Sequence, residues 1–310
     1  MKTLVIDLKS QLIFLPEDVE RIKSSIDIDY HIYAILLSHK YYIKDGMYEQ
    51  KKEGIFFPVF SPTNGFSFTL PFYVNKGLDH TKLNIDIPFP YEKFFVTIED
   101  DEWKAKNPDK DFYLEYNVTK IVDKLLFQKC IDRDYKIAYI GQAFGKNGER
   151  IAVDRLISHS TLQKILSDCQ SIYSEYNVRI LLMNFQQDYQ LDYISSGGFT
   201  TIIPSAPKMP ENQIINLTEA ALINYFKPEY NKDFKSNFPS NKHMSYHELF
   251  DSEYTELALD LSYLYESDVF PSLDLYTDHN RISCKKNSIH YKIQKGDSIL
   301  SFLPFDNDVQ

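Results

Sequence analysis

The octapeptide KIAYIGQA, residues 136–143, decides how this chain is read. Ile137, Tyr139 and Ile140 are of the β-branched and aromatic types that suit a pleated, half-buried surface, and Gly141 permits a sharp exit from the strand. Working outward, STLQKILSDCQSIY (160–173) places Leu162, Ile165, Leu166, Cys169, Ile172 and Tyr173 at the three-and-four spacing of one helical face. VRILLMNF (178–185) reads as another strand, and LTEAALINYF (217–226) as another helix, stopped by Lys227-Pro228. Just upstream, VTKIVDKLLF (118–127) suits a helix or a strand. Strands alternating with helices predict an α/β (α+β) core, a small sheet with helices packed on it.

The first 118 residues read differently. TLVIDL (3–8) and QLIFL (11–15), about a Lys9-Ser10 turn, are followed by an early helix near PEDVERIKSS (16–25) and by the strands GIFFPVF (54–60), FSFTLPFYV (66–74) and KFFVTIE (93–99). The charged loop EDDEWKAKNPDKD (99–111) is the best boundary candidate. After residue 243, SEYTELALDLSYLYE (252–266) predicts a helix and RISCKKNSIHYKIQKG (281–296) a hairpin. Three segments are therefore expected: a strand-rich domain at 1–118, the α/β core at 119–242 and a small mixed domain at 243–310.

Charge is distributed unevenly over these segments. The chain carries −10 overall, which a phosphate backbone repels, but segment 119–242 holds 15 Lys/Arg against 13 Asp/Glu while both flanks are acidic. The one positive third is the one that contains the YIG strand. Three cysteines, Cys130, Cys169 and Cys284, stand at wide separations and form no paired motif, which speaks against a zinc ribbon or a disulfide framework. No apolar run approaches the ~20 residues of a membrane-spanning helix, and Asp7 and Lys9 interrupt the N-terminal hydrophobic stretch, so a cytoplasmic location is expected.

Several polar residues carry chemistry by type and spacing. Arg155 and His159 stand at i and i+4, so one helix through both would project a phosphate-gripping guanidinium and a proton-handling imidazole from a single face. Ser160-Thr-Leu-Gln163, however, is a passable capping box for a new helix. Glu219 closes the capping-box spacing Asn216-Leu-Thr-Glu219, which places it in a first helical turn, where a carboxylate also suits a hard cation. Asn231 ends Pro228-Glu-Tyr-Asn231, a turn by default. Lys146 lies in a Gly145-Lys-Asn-Gly148 loop that would bring it to a phosphate. His243 and His247 lack the glutamate of a hydrolytic zinc helix, and Ser195-Ser-Gly-Gly198 lacks the lysine of a phosphate loop.

Taken in order, Tyr139, Gly141, Arg155, His159, Glu219 and Asn231 resemble the active-site skeleton of the GIY-YIG nucleases, over about residues 119–235. TEAALINYFKPEYN (218–231) is especially similar to that family's closing motif. The resemblance implies a metal-dependent DNA endonuclease with a GIY-YIG-like sheet-and-helix core. In it, Glu219 would hold Mg²⁺ or Mn²⁺, Arg155 would bind the phosphoryl oxygens, Tyr139 and His159 would position and deprotonate water, and Asn231 would support the closing turn or a phosphate contact. DNA is the implied partner, a homodimer is left open, and restriction or defence against foreign DNA is the expected setting. One departure stands out. The family's first strand carries Gly-Ile-Tyr about ten residues before the second tyrosine, and here that place falls in LLFQKCID (125–132), with Phe127 and Gln128 nearest. A catalytically degenerate binding or regulatory module is the alternative that this departure favours.

Overall fold

The structure, a computed structural model, describes residues 2–63, 65–74, 79–98, 105, 113–128, 133–145, 148–194, 199–203, 209–236, 252–262, 273–283, 288–295 and 300–304. It is a mixed strand-and-helix protein. Two compact units divide the chain: residues 1–38, 132–174 and 178–310 form one, and 39–131 with 175–177 the other. This division differs from the expected boundaries near 118 and 242 because strands from both ends of the chain join the central sheet.

The first unit is built on strands β1 (Lys2–Phe14), β2 (Ile32–His39), β3 (Arg133–Gln142), β4 (Tyr176–Ile194), β5 (Phe199–Ile203), β6 (Glu256–Asp260), β7 (Leu273–Tyr276), β8 (Arg281–Ser283), β9 (Ser288–Lys295) and β10 (Leu300–Pro304). They form one ten-stranded sheet in the order β8-β7-β3-β2-β4-β1-β6-β9-β10, with β5 pairing on β4. Helices α1 (Val19–Lys23), α2 (Ala152–Leu156), α3 (Ser160–Ser171) and α4 (Glu211–Phe226) belong to the same unit.

Strand β2, IYAILLSH, lies inside this sheet with every residue buried, which is why it reads as an unbroken apolar run instead of an alternating one. Its Ile32, Ala34 and Leu36 share a core with Ile137 and Ile140 of β3, Leu4 and Ile6 of β1, and Leu217, Ala221 and Phe226 of α4. β3 runs antiparallel to β2, and between Ile137 and Tyr139 the register slips by one residue. Ala138 is the extra residue of this bulge. It turns Tyr139 opposite Ile35 and Gly141 opposite Tyr33, so both share the face of Tyr33 while Ile137 and Ile140 face the core.

Several local expectations are revised. Residues 3–15 form no hairpin: β1 runs through Lys9-Ser10, and a register irregularity between Leu8 and Ser10 absorbs the break. Glu256–Asp260 is a strand, parallel to β1, where the helix was expected. Arg281–Ser283 and Ser288–Lys295 are strands, yet they pair with β7 and with β6 and β10 instead of each other. The helices expected near 16–25 and over 160–173 are present as α1 and α3, although Ile172 lies beyond α3 and is exposed.

In the second unit, Tyr42–Ile43, Glu49–Lys51, Gly54–Phe60 and Ser67–Phe72 form a four-stranded sheet, and Leu83–Asp86, Lys93–Ile98 and Tyr113–Asn117 a three-stranded one. The strand-rich reading of this stretch holds. Phe57, Phe72, Phe94 and Tyr116 stack into an aromatic core, with Phe57 and Phe94 centroids 4.4 Å apart. Val118–Gln128 resolves the earlier ambiguity as a helix, and its Val118, Val122 and Leu126 pack into this core. Among the described residues no helix is long and apolar enough to cross a membrane.

Candidate active site

Tyr139, Arg155, His159 and Glu219 converge, together with a residue that the sequence reading passes over, Tyr33 on β2. The three rings of Tyr33, Tyr139 and His159 make a triangle with centroid separations of 6.1, 5.6 and 5.2 Å. A Cβ on Gly141 would lie 2.6 Å from the Tyr33 hydroxyl and 2.8 Å from the Tyr139 ring, so only glycine leaves room for the two phenols. Gly141→Ala is accordingly expected to destabilise the protein by about 1–3 kcal/mol through overpacking. A denaturant titration that leaves the midpoint unchanged would show the rings to be free to move.

Arg155 and His159 do not share a helix. α2 ends at Leu156, and His159 is the N-cap of α3, its Nδ1 accepting the Leu162 backbone N–H at 3.1 Å. A new helix does start here, but the His159 side chain caps it in place of the expected Ser160, which is the first helical residue. This bond also sets the tautomer: with Nδ1 an acceptor, Nε2 carries the proton and donates to the Tyr33 hydroxyl at 3.0 Å. Burial, and then the Arg155 charge, push the His159 pKa down to about 4, so the imidazole is neutral at pH 7. His159 therefore orients Tyr33; with Nε2 carrying a proton and Nδ1 engaged, it has no free nitrogen with which to deprotonate water.

Tyr33 is fully buried and passes a hydrogen bond to the Tyr139 oxygen. Tyr139 is only partly buried. Burial raises the pKa of both phenols, while Arg155 acts in the opposite direction on each. A relay thus runs from His159 through Tyr33 to Tyr139, the member open to solvent.

Arg155 is held by the Gln142 carbonyl and acts electrostatically on every titrating group of the cluster. Its helix starts where Asp154 accepts from the Ile151 N–H and from Lys23 of α1, at 2.8 Å in the ion pair, and where the Ala152 N–H donates to Tyr30 just before β2. Glu219 sits in the middle of α4, which begins at Glu211, and is not in a first turn. Burial pushes its pKa up to about 7 against the pull of Arg155 and of two donors from Gln142, one backbone and one side-chain. Asp233 adds a negative field at both Glu219 and Tyr139. Gln142 was not expected from the sequence either; its side chain also donates to Asn216 at 2.6 Å.

Asn231 has a different task from the others. Its Oδ1 accepts the Ile140 N–H at 2.9 Å and its Nδ2 donates to the Ile140 carbonyl at 2.8 Å, while the Tyr230 N–H reaches Ala138. The turn after α4, launched by a left-handed Lys227, thus completes the edge of β3 beyond its pairing with β7. Both amide groups are committed to the backbone, so Asn231 supports the closing turn and is not a catalytic group. Lys146, the Ser195–Gly198 turn and the His243/His247 pair lie outside the described residues.

A second relay lies on the other half of the sheet. Ser288 bonds His290 at 2.6 Å, His290 bonds Glu256 at 2.9 Å, and Thr3 donates to Glu256 at 2.8 Å, so the group ties β1, β6 and β9 together.

No set of three or more potential metal ligands occurs among the described residues. Glu219 is a single carboxylate whose desolvation a cation would relieve, and this fits an ion such as Mg²⁺, which needs only one or two protein carboxylates and takes water and phosphate oxygens besides. A scan against protein-family models, a search of curated proteins and a search of solved structures each return no match.

Proposed function

We propose that the protein is a metal-dependent DNA endonuclease of GIY-YIG type, acting in restriction or defence against foreign DNA. The observation that carries the reading is the gathering of two phenols, a guanidinium, an imidazole and a carboxylate from β2, β3, α2, α3 and α4. Ile32-Tyr33 takes the part of the family's first tyrosine strand, with residues 39–131 inserted between the two signature strands. The binding-module alternative draws on the absent first tyrosine and on the acidic flanks; Tyr33 answers the first of these, and the flanks stay acidic.

Each side chain then has a defined role. Tyr139 accepts the proton of the attacking water as a phenolate, which burial disfavours and which Arg155 and the Tyr33 hydrogen bond partly restore. Water oxygen bonds phosphorus as the bond to the leaving sugar oxygen breaks, and solvent protonates that oxygen. Arg155 stabilises charge on the phosphoryl oxygens, and Tyr33 with His159 keeps Tyr139 in place. Mg²⁺ or Mn²⁺ held at Glu219 would supply Lewis-acid stabilisation of the phosphate. Gln142 aims the Glu219 carboxylate.

The test is incubation of purified protein with supercoiled plasmid in Mg²⁺, Mn²⁺ or EDTA, beside Arg155→Ala and Glu219→Ala. Metal-dependent nicking that both substitutions remove is expected. Equal cutting by all three proteins would assign the activity to a contaminant, and no cutting by any would return the binding-module reading.

A further inference from the structure

A cleft of about 290 Å³ opens next to Arg155, lined by Gln142, Phe144, Arg150, Asn212 and Asn216 among others. Its chemistry differs from that of the catalytic cluster. The side chains of Arg150 and Asn212 are exposed and make no hydrogen bond among the described residues; the Arg150 backbone N–H donates to Phe144, and its charge acts on Asp154. Asn212 and Asn216 stand one turn apart on α4, so both amides project from one side of the helix. Asn216 is oriented by the Gln142 amide, which donates to its Oδ1 at 2.6 Å. Phe144 is steadied by His31, ring centroids 5.0 Å apart and edge-on, and His31 is itself fixed by donating to the Ala143 carbonyl at 2.8 Å.

From this geometry we infer that the cleft takes one unstacked nucleotide adjoining the cut phosphate, with adenine as the preferred base. The inference rests on the nuclease reading and adds to it the form and base preference of the substrate. At about 290 Å³ the cleft is at the small end of ligand pockets, which limits its occupant to a single nucleotide or less. An exposed guanidinium grips a backbone phosphate, an aromatic ring stacks on any base, and an asparagine amide offers the donor and acceptor that match the N6 and N7 edge of adenine. Arg155 borders both places, so a nucleotide seated here would present its neighbouring phosphate to the catalytic cluster. A base inside the stack of a duplex cannot enter such a cleft, so the strand is single or locally opened.

Equilibrium binding in EDTA separates this inference from catalysis. Fluorescein-labelled hexadeoxyadenylate, hexathymidylate and an abasic hexamer are titrated into wild-type protein, Arg150→Ala and Asn212→Ala. Adenylate is expected to bind about tenfold tighter than the abasic strand, with Asn212→Ala losing most of the preference for adenylate over thymidylate. Arg150→Ala should weaken all three strands and lower the salt slope by about one. Equal affinity for adenylate and abasic strands, or indifference to both substitutions, overturns the inference even if Mn²⁺-dependent cutting is found. Base-selective binding without any cutting would leave the cleft standing and remove the nuclease.

Discussion

Tyr139→Phe is expected to lower the rate of DNA cleavage about 10²- to 10⁴-fold, the range spanned by loss of a positioned general base, whereas Tyr33→Phe should cost only about tenfold. The difference follows from exposure. Tyr33 has no solvent-accessible surface and is enclosed by His159, Tyr139 and Gly141, so its hydroxyl reaches substrate only through Tyr139. The pH profile carries the same assignment: burial holds the Tyr139 pKa above its ordinary value, so cleavage at saturating metal should keep rising through pH 8 and 9 as the phenolate fraction grows. In Tyr139→Phe that alkaline rise disappears. If Tyr33→Phe proves the more damaging variant, the order of the relay is reversed.

How much of this site the sequence discloses depends on how local the signal is. Tyr139, Gly141, Arg155, His159 and Glu219 lie within one segment of alternating strands and helices, and they do come together. Tyr33 is hidden because its pairing with Gly141 spans the whole inserted unit, 39–131, and no spacing rule bridges a separate fold of that size. The bulge at Ala138 is likewise invisible, since nothing in Ile-Ala-Tyr demands an extra residue. Elsewhere a local signal is present but outweighed. Glu256-Leu-Ala-Leu-Asp260 is a short apolar run between two acids, buried at its first four positions as an interior strand is, yet its Glu, Leu and Ala residues are strong helix formers. At Lys9-Ser10, a polar pair without glycine, proline or asparagine proves too weak to turn the chain, and β1 continues to Phe14. The capping spacing before Glu219 caps nothing, because Pro210 starts α4 about two turns earlier and Asn216 and Glu219 bond Gln142 instead.

Glu219→Gln is the second large effect, and it moves stability and activity in opposite directions. The folded-state pKa of Glu219, about 7, stands above its unfolded value of 4.5, so the folded protein binds more protons than the unfolded chain between those limits. Stability therefore falls as pH rises through that window, and the whole cost is present at pH 8. A neutral glutamine avoids it, which should stabilise the metal-free protein by about 1–3 kcal/mol at pH 8 and by almost nothing at pH 4. A metal held at Glu219, as proposed, would offset the same cost in the wild type, so Mg²⁺ should raise the melting temperature of wild-type protein and leave that of Glu219→Gln unchanged.

The most direct test joins these two readouts in one variant: plasmid cleavage by Glu219→Gln in Mn²⁺, set beside its melting temperature in EDTA at pH 8. A protein that melts above the wild type and does not cut is the expected result, because it is folded and has lost only the carboxylate proposed to hold the cation. A Glu219→Gln protein that cuts at the wild-type rate would contradict the assignment of this cluster as a metal-dependent phosphodiesterase site.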